Sequence, residues 1–274
     1  FQTNAYASIT NSYFIPLESG GGSSSSASGT MSVSTFGDTL TMNGQSIIVP
    51  GISFQNYIPT FGSVTDIDGN IYQTTTIYGK EWMIEDLLVT KYSNGDPIPL
   101  ITGINNWQGS VCNNPGYIIN NSFGNLGIKV WYNLPAISDS RGICPNGWHL
   151  ATEQDYIDVL DLFDSMTSTG NGYGFWWENA GPAFKKQDGG WSNINYPEGQ
   201  ATNDSYLGFE SFDPTSCTNA NNFYGYNTDH KSWTGTPGGN NGGNWYLDLS
   251  SNDDKVSFSD GSGDTMISCR CVKD

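Results

Sequence analysis

Residues 144–163 read CPNGWHLATEQDYIDVLDLF and contain the clearest helix signal in the chain. Thr152 is a favourable N-cap, and Asp155, three residues later, can return a hydrogen bond and complete a capping box. The apolar residues that follow recur at helical spacing: Tyr156, Val159, Leu160 and Phe163. The stretch therefore predicts an α-helix that begins after Thr152 and buries one of its faces.

The segments on either side of this helix predict short strands. Asn43 and Gly44 separate two β-prone runs, as do Asp68 and Gly69. Such pairs form the tight turns of β-hairpins because both residue types tolerate positive φ. A second, short helix is expected over residues 179–186, and long loops rich in glycine and asparagine follow it. The predicted fold class is therefore α+β with a majority of β-structure.

The first 61 residues differ in composition from the rest. Residues 1–16 are β-prone and predict an extended arm, and residues 19–29, SGGGSSSSASG, predict a flexible linker before the first hairpin. Only Glu18 is charged among the first 20 residues, so charge does not prevent the arm from pairing with another chain's sheet edge. The alternative is that the arm folds back on its own domain. Four arm side chains are candidates for assembly contacts: Tyr6, Ile9, Tyr13 and Ile15. We predict two regions, an arm, linker and hairpin over 1–61 and one α+β domain over 62–274.

Charge and composition exclude several classes of partner. The 274 residues include 10 Lys and Arg against 27 Asp and Glu, which gives a net charge of -17. Nucleic acids and anionic membrane surfaces select for Lys and Arg, so neither is an expected partner. No stretch of 18 apolar residues is present, so no membrane-spanning helix is expected. An acidic chain that contains cysteines is typical of exported proteins.

Seven segments, taken in order, carry a resemblance to one protein family. They are VTDIDGNIYQT (64–74), GKEWMIEDL (79–87), TKYSNGDPIP (90–99), VWYNLPAI (130–137), GICPNGWHLATEQDYIDVLDLF (142–163), KSWTGT (231–236) and ISCRCVKD (267–274). Over residues 62–274 the chain resembles the Fibrobacter succinogenes major paralogous (FISUMP) domain family. The resemblance implies a C-type-lectin-like fold, in which two helices and short antiparallel strands carry long irregular loops and the two ends of the domain lie together. It also implies an exported protein on the surface of Bacteroidetes-type bacteria, in a family without an established activity.

The five cysteines predict disulfide bonds rather than a metal site. The resemblance implies that Cys144 pairs with Cys271, because these residues match the paired positions of the family. Cys269 and Cys271 are two residues apart on a predicted terminal strand, so each can have a different partner, and we expect Cys217 to pair with Cys269. Cys112 would then remain unpaired. Metal binding is the alternative, but no CxxC pair supports it.

Two acidic segments raise the question of calcium. Residues 66–70, DIDGN, match the start of an EF-hand loop, but Thr76 and Ile77 stand near the position that requires a bidentate Glu. We therefore interpret this segment as a hairpin turn with Asx hydrogen bonds. A second acidic group is a candidate for weak calcium binding: Asp253, Asp254, Asp260 and Asp264. No other cofactor and no tightly bound metal are expected.

The sequence contains no recognisable catalytic motif. His149 lies beside Trp148, where a packed structural role is expected, and His230 is expected in a loop beside Asp229. Neither histidine accompanies a GxSxG, HExxH or phosphate-loop motif. Three carboxylates could form a glycosidase pair, although such pairs are common by chance: Glu198, Glu210 and Asp213. The chain is therefore predicted not to be an enzyme.

Tryptophans in glycine- and asparagine-rich surroundings suggest a sugar site. An exposed indole ring stacks on the apolar face of a sugar, and asparagine bonds sugar hydroxyls, whereas a buried ring only fills the core. The candidates are Trp233, Asn240, Asn241, Asn244 and Trp245. If Trp176 and Trp177 lie in a strand, one of the two rings is expected to point outward.

Together these patterns predict a non-enzymatic, exported cell-surface protein with a structural or adhesive function. It is expected to self-associate through its N-terminal arm, into an oligomer or a filament, or to bind other surface proteins. The alternative is a carbohydrate-binding, lectin-like module on the bacterial surface, with glycans as its ligands.

Overall fold

The computed structural model describes residues 31–33, 39–42, 45–48, 60–102, 113–120, 127–164, 166–168, 175–186, 205, 207, 209–210, 215–216, 229–238, 242–250, 253–261 and 265–274. The chain divides into two compact units, residues 1–57 and 58–274. The first unit contains one antiparallel sheet in the order β1-β2-β3. Its strands are β1 (Met31–Val33), β2 (Thr39–Met42) and β3 (Gln45–Ile48). Met42 pairs with Gln45 across the two residues that the sequence assigns to a hairpin turn. The predicted arm, including Tyr6, Ile9, Tyr13 and Ile15, lies outside the described residues.

A five-stranded antiparallel sheet begins the second unit, in the order β4-β5-β6-β17-β9. Its strands are β4 (Phe61–Thr65), β5 (Ile71–Ile77), β6 (Lys80–Met83), β9 (Trp148–Leu150) and β17 (Cys271–Lys273). The turn between β4 and β5 is the predicted hairpin: Gly69 has φ +88°, and the Asp66 carboxylate accepts hydrogen bonds from the Asp68 and Asn70 amides. The Asx-turn interpretation of this segment is therefore confirmed.

The second sheet of this unit has nine strands. Eight lie in the order β10-β11-β15-β14-β13-β16-β8-β7, and β12 pairs with β16. The strands are β7 (Tyr117–Asn120), β8 (Lys129–Asn133), β10 (Thr167–Ser168), β11 (Phe175–Trp177), β12 (Thr215–Ser216), β13 (Asp229–Pro237), β14 (Asn244–Ser250), β15 (Val256–Gly261) and β16 (Thr265–Cys269). Every neighbouring pair is antiparallel except β13 with β16.

The described residues contain three short helices: α1 (Leu134–Ile137), α2 (Glu153–Leu160) and α3 (Gly181–Phe184). The prediction for α2 is confirmed, with Thr152 as N-cap and a complete capping box to Asp155. Phe163, however, lies beyond the last residue of this helix. The second expected helix is present as α3, and the β-rich class with few helices is confirmed. No helix in the described part of the chain is long and apolar enough to span a membrane.

The expected terminal strand is in fact two strands in two sheets. β16 ends at Cys269 and belongs to the nine-stranded sheet, whereas β17 starts at Cys271 and belongs to the five-stranded sheet. The single residue between them, Arg270, is almost completely buried, at 1% exposure. The chain thus passes from one sheet to the other at a buried arginine.

Two apolar groups fill this unit. One joins the two sheets and includes Tyr72, Tyr132, Trp233 and the Cys271 side chain. The other is a run of aromatic rings around α2, in which Tyr156 lies 5.2 Å from Trp82 and 6.3 Å from Phe258 between ring centroids. Trp177 belongs to this second group and is buried, while Trp176 is partly exposed. The prediction that one of these adjacent rings points outward is therefore confirmed.

Candidate functional site

A groove of about 680 Å³ lies between the loop after α1, the segment before β9 and the facing ends of β13 and β14. We call it the His149 groove. The side chains that give it its chemistry are Arg141, Asn146, Trp148, His149, Pro237 and Asn244. Five of these six residues are polar or aromatic, so the groove can offer both hydrogen bonds and a flat ring to a ligand.

One wall of the groove is held by a disulfide bond. Cys144 is bonded to Cys271 with an S–S distance of 2.01 Å, as the family resemblance implies. The two cysteines are 127 residues apart in sequence, and closing a loop of this size stabilises a fold by roughly 3–5 kcal/mol in the loop-entropy model. The bond fixes the CPNGWH segment of the groove to β17.

His149 is held between two carboxylates at the rim of the groove. Its Nδ1 lies 2.7 Å from Asp274 Oδ1, and its Nε2 lies 3.0 Å from Asp155 Oδ2. Asp155 also accepts a hydrogen bond from Lys80. Burial opposes ionisation of Asp155, but its bonds to Lys80 and Thr152 lower the pKa of this carboxyl to about 2. We call Lys80, His149, Asp155 and Asp274 the His149 cluster. The His149 side chain remains 37% exposed, so it also faces the groove.

The groove's arginine is neutralised by neighbouring carboxylates. The Arg141 guanidinium bonds Asp139 at 2.7 Å and Asp96 at 3.1 Å, and it lies 3.8 Å from the centre of the Tyr92 ring. These hydrogen bonds from Arg141 hold the pKa of Asp139 at about 2. Because its charge is already matched, Arg141 favours an uncharged polar ligand over a free anion.

An indole ring and two amides complete the groove. Trp148 is partly exposed, and Lys273 Nζ lies 6.0 Å from its ring centre while bonding Glu81. The Asn244 side-chain amide donates to the Thr234 carbonyl at 2.9 Å, which fixes its orientation, and Asn146 is exposed. A partly open ring beside one fixed amide, one exposed amide and a paired arginine is suited to a neutral, polyhydroxylated ligand.

The structure separates the predicted sugar residues. Trp233 is fully buried, and its indole N–H donates to the Tyr132 carbonyl at 2.9 Å. Trp233 lies in the core between the two sheets, so its ring cannot stack on a sugar. Trp233 pairs with Tyr246, so Trp245 lies on the opposite face of the sheet. Asn240 and Asn241 lie outside the described residues, and only Asn244 of the five candidates lines the groove.

The expected Cys217–Cys269 bond is not present. Cys269 has a free thiol and is completely buried, and Cys217 and Cys112 lie outside the described residues. The expectation placed Cys269 and Cys271 on one strand. The change of sheet at Arg270 instead encloses Cys269 in the core between the sheets.

A second polar group, which we call the interior cluster, consists of Asp86, His230, Ser268 and Arg270. All four residues are buried. Arg270 Nε donates to Asp86 Oδ1 at 2.7 Å. Burial opposes ionisation of Asp86, but the positive charge of Arg270 lowers the pKa of this carboxyl to about 2. His230 lies in β13, not in a loop as the sequence predicted, and burial lowers its pKa to about 4.

The interior cluster contains a serine, a histidine and an aspartate, but not in the arrangement of a hydrolase triad. A triad requires the serine and the aspartate on opposite ring nitrogens of the histidine. Here Ser268 at 3.5 Å and Asp86 at 4.0 Å both face His230 Nε2, while Nδ1 bonds the Glu210 carbonyl. Ser268 donates instead to the Lys231 carbonyl at 2.8 Å. These contacts join β13 and β16 to each other and to the loops that contain Asp86 and Glu210.

Of the three glycosidase candidates, the described part of the chain includes only Glu210, which has structural partners. Glu210 bonds Lys129 at 2.6 Å and bonds Lys186 as well, whereas Glu198 and Asp213 lie outside the described residues. Burial opposes ionisation of Glu210, but Lys129 and Lys186 lower the pKa of its carboxyl. Within the described part of the chain, no group of three or more Asp, Glu, His or Cys side chains is arranged to hold a metal ion. Asp264, one of the four suggested calcium ligands, lies outside that part.

Sequence reasoning missed Arg141, Asn146 and Trp148 as groove residues. A signal was available, because a partly polar run with two glycines and a tryptophan lies between the α1 region and α2. That run lies within residues 76–273, which match the model of a protein family, the Fibrobacter succinogenes major domain. The chain belongs to this family.

The Fibrobacter succinogenes major domain of this chain contains the Cys144–Cys271 bond, the interior cluster and the lining of the His149 groove. β4 precedes the matched residues, as does the whole unit of residues 1–57. No curated protein and no solved structure matches the chain. The function of the groove therefore has to be argued from its own chemistry.

Proposed function

We propose that this chain is an exported, non-enzymatic adhesive protein of the bacterial cell surface that self-associates through its N-terminal arm. The observation that carries the proposal is the Cys144–Cys271 disulfide, because structural disulfides persist in oxidising compartments. The net charge of -17 and the low content of charged residues, 14%, also suit an exposed surface protein. The geometry of the interior cluster, which differs from that of a hydrolase triad, supports the non-enzymatic part.

The proposed location at the cell surface can be tested in the native bacterium. Protease treatment of intact cells should remove the protein while leaving a cytoplasmic marker untouched. Peptide mapping without reductant, on protein taken from the same cells, should yield the cross-linked peptides that contain Cys144 and Cys271. A protease-resistant protein with both thiols free would contradict export.

Carbohydrate binding by a C-type-lectin-like domain is the second candidate, and the His149 groove favours it. The groove combines the Trp148 ring with the Asn146 and Asn244 amides, the charge of Arg141 is matched by carboxylates, and His149 lies within hydrogen-bonding distance of Asp274. A neutral glycan needs such a ring and such hydrogen-bonding groups. The last strand, β17, also lies beside β6 near the start of the family domain, which supports the proposed likeness to lectins.

A glycan array, screened with and without calcium, tests this candidate. Loss of one stacked ring weakens nucleic-acid base binding by about 1–3 kcal/mol, and we use the same scale for a sugar. Trp148→Ala should therefore lower glycan affinity by at least fivefold. Trp176→Ala, which removes a partly exposed ring elsewhere, is the matched control and should bind as the parent protein does. Trp245→Ala tests the loop site that the sequence suggested. If no glycan on the array binds the protein, carbohydrate binding is ruled out as its function. Adhesion to other proteins would then remain the proposed function.

A further inference from the structure

We propose that β4 is the acceptor edge for self-association, and that it pairs with the N-terminal arm, residues 1–16, of a second copy of this chain. The inference rests on the proposed self-association and adds the surface that receives the arm. It follows from the hydrogen-bond pattern of β4, from a comparison of the sheet edges and from the chemistry of the arm.

The hydrogen bonds of the first hairpin fix which side of β4 is open. The Thr76 amide donates to the Thr60 carbonyl, and the Asp66 amide donates to the Asn70 carbonyl. In an antiparallel pair, residues alternate between facing the partner strand and facing away from it. The even-numbered residues of β4 therefore bond β5, and the backbone groups of Ser63 and Thr65 point away from the sheet. No hydrogen bond occupies these outward groups of Ser63 and Thr65 within the described chain.

The other described sheet edges are short or already covered. β1 and β9 have three residues each, β10 and β12 have two each, and β3 has four. β7 has four residues, but residues 99–101 lie along it, since the Ile101 amide donates to the Tyr117 carbonyl and the Tyr117 amide donates to the Pro99 carbonyl. β4 has five residues in unbroken register with β5. It is thus the longest open edge among the described strands.

β4 also lacks the features that normally protect an edge. Lysine, proline and bulges discourage pairing with another chain, and the sequence FGSVT of β4 has none of them. Four of its five residues are exposed. The apolar side chains of Ile71 and Ile67 beside the edge are also exposed, at 70% and 46%. An added strand would cover this surface as well as the free backbone groups.

The arm of a second copy has the length and the chemistry to occupy this edge. Five residues of extended chain suffice to pair with β4, and the arm has 16, with Tyr, Ile and Phe side chains to cover the exposed apolar surface. Neither the arm up to Pro16 nor β4 carries a charged side chain, so pairing leaves no charge unpaired. The 11-residue linker spans roughly 18 Å as a flexible coil, which gives the arm reach beyond its own unit. One copy would then donate an arm and accept another, and this heterologous contact can repeat into a filament.

Salt dependence follows from the net charge. Each copy carries a charge of -17, and added salt screens the repulsion between copies while leaving backbone hydrogen bonds in place. Assembly should therefore increase at higher ionic strength. An ion-pair interface would behave in the opposite way.

Light scattering and sedimentation of the full chain over a range of concentrations test the proposal. Ser63→Pro removes an outward N–H that takes no part in the β4–β5 ladder, and Ser63→Ala is the matched control that keeps it. We expect deletion of residues 1–16 and Ser63→Pro each to raise the concentration for half-assembly at least tenfold, and Ser63→Ala to leave it unchanged. Amide exchange at Ser63 and Thr65 in the unmodified chain should slow on assembly, and this measurement does not depend on the folding of any variant.

The outcomes separate this inference from the proposed self-association. In one outcome, assembly requires the arm while Ser63→Pro assembles normally and exchange at the Ser63 and Thr65 amides does not slow. That result would overturn β4 as the acceptor edge, but it would leave the proposed self-association in place. A chain that stays monomeric, with the two amides protected only when the arm is present, would show that the arm binds its own domain. A monomer with unprotected amides would overturn both proposals.

Discussion

The two histidines of this chain lie in regions built from the same kinds of side chain and differ in their access to water. His149, at the groove, contacts Asp155 and Asp274 and is 37% exposed, while His230 contacts Asp86 and a backbone carbonyl and is 1% exposed. In the interior cluster the arginine donates to the carboxylate, and the histidine bonds the Glu210 carbonyl. At the groove a similar set leaves the imidazole partly exposed. The comparison indicates that exposure, rather than residue type, separates a binding surface from a structural contact here.

The tryptophans repeat this contrast. Trp233 fills the core between the sheets, and Trp148 forms part of the groove wall. The largest expected effect tests this difference. Trp233→Ala should lower the free energy of unfolding by about 5 kcal/mol, because it leaves a large cavity and removes the bond to the Tyr132 carbonyl. Trp148→Ala should cost about 1 kcal/mol in urea unfolding. Equal losses would contradict the assignment of the two rings to core and groove.

A slightly smaller effect is expected for the interior charge pair. Arg270→Met leaves the buried Asp86 carboxylate without its partner, which should destabilise the fold by about 4 kcal/mol. Lys273→Met is the control: its exposed pair with Glu81 should contribute at most about 1 kcal/mol. Chemical denaturation of both variants measures the difference. A double variant, Arg270→Met with Asp86→Leu, should recover most of the loss, and failure to recover it would show that packing on Phe209 is the larger contribution.

The sequence predicted well those features that depend on neighbouring residues. The α2 helix has its cap, its capping box and its apolar face within ten residues, and the Asp66 turn is closed by its own side chain. The Cys144–Cys271 bond joins distant residues and was predictable only through the resemblance to a family.

Features that depend on distant strands were not predictable. The burial of Trp233 results from contacts with residues that are distant in sequence, such as Tyr132, 101 residues earlier. The change of sheet at Arg270 depends on which strands accept β16 and β17, and no local pattern encodes that choice. For the same reason the groove could not be predicted from the sequence, because it is formed by separate segments around Arg141, His149 and Asn244.

The pH dependence of stability gives a further test of the interior cluster. Burial lowers the pKa of His230 to about 4, so between pH 6.5 and 4 the unfolded chain binds this proton first and the free energy of unfolding falls by about 3 kcal/mol. Burial also raises the pKa of Asp248 to about 6, and this group acts in the opposite direction over the same range. The contributions of His230 and Asp248 should therefore largely cancel in the wild-type protein.

Single variants should uncover the two opposing contributions. Urea unfolding of His230→Asn should show stability that rises on acidification from pH 6.5 to 4, and Asp248→Asn should show stability that falls. If both variants follow the wild-type profile, neither group changes its pKa on folding as the structure indicates. Below pH 4, protonation of Asp86, whose pKa is about 2, should destabilise all forms that retain it.

The smallest expected effect concerns Thr152, which connects the helix cap to the His149 cluster. Its hydroxyl accepts the Asp155 amide at 3.1 Å, and Asp155 in turn holds the His149 ring. Thr152→Ala should cost about 1 kcal/mol of folding stability, because a helix N-terminal donor loses its partner. Thr152→Ser keeps the hydroxyl and should lose only a few tenths of that amount. If the His149 ring also helps to bind a glycan, Thr152→Ala should weaken binding more than its effect on unfolding requires, since Asp155 loses part of its fixed position. Unchanged glycan affinity in a destabilised Thr152→Ala protein would limit the His149 cluster to a capping role and leave Trp148 and the amides as the binding groups.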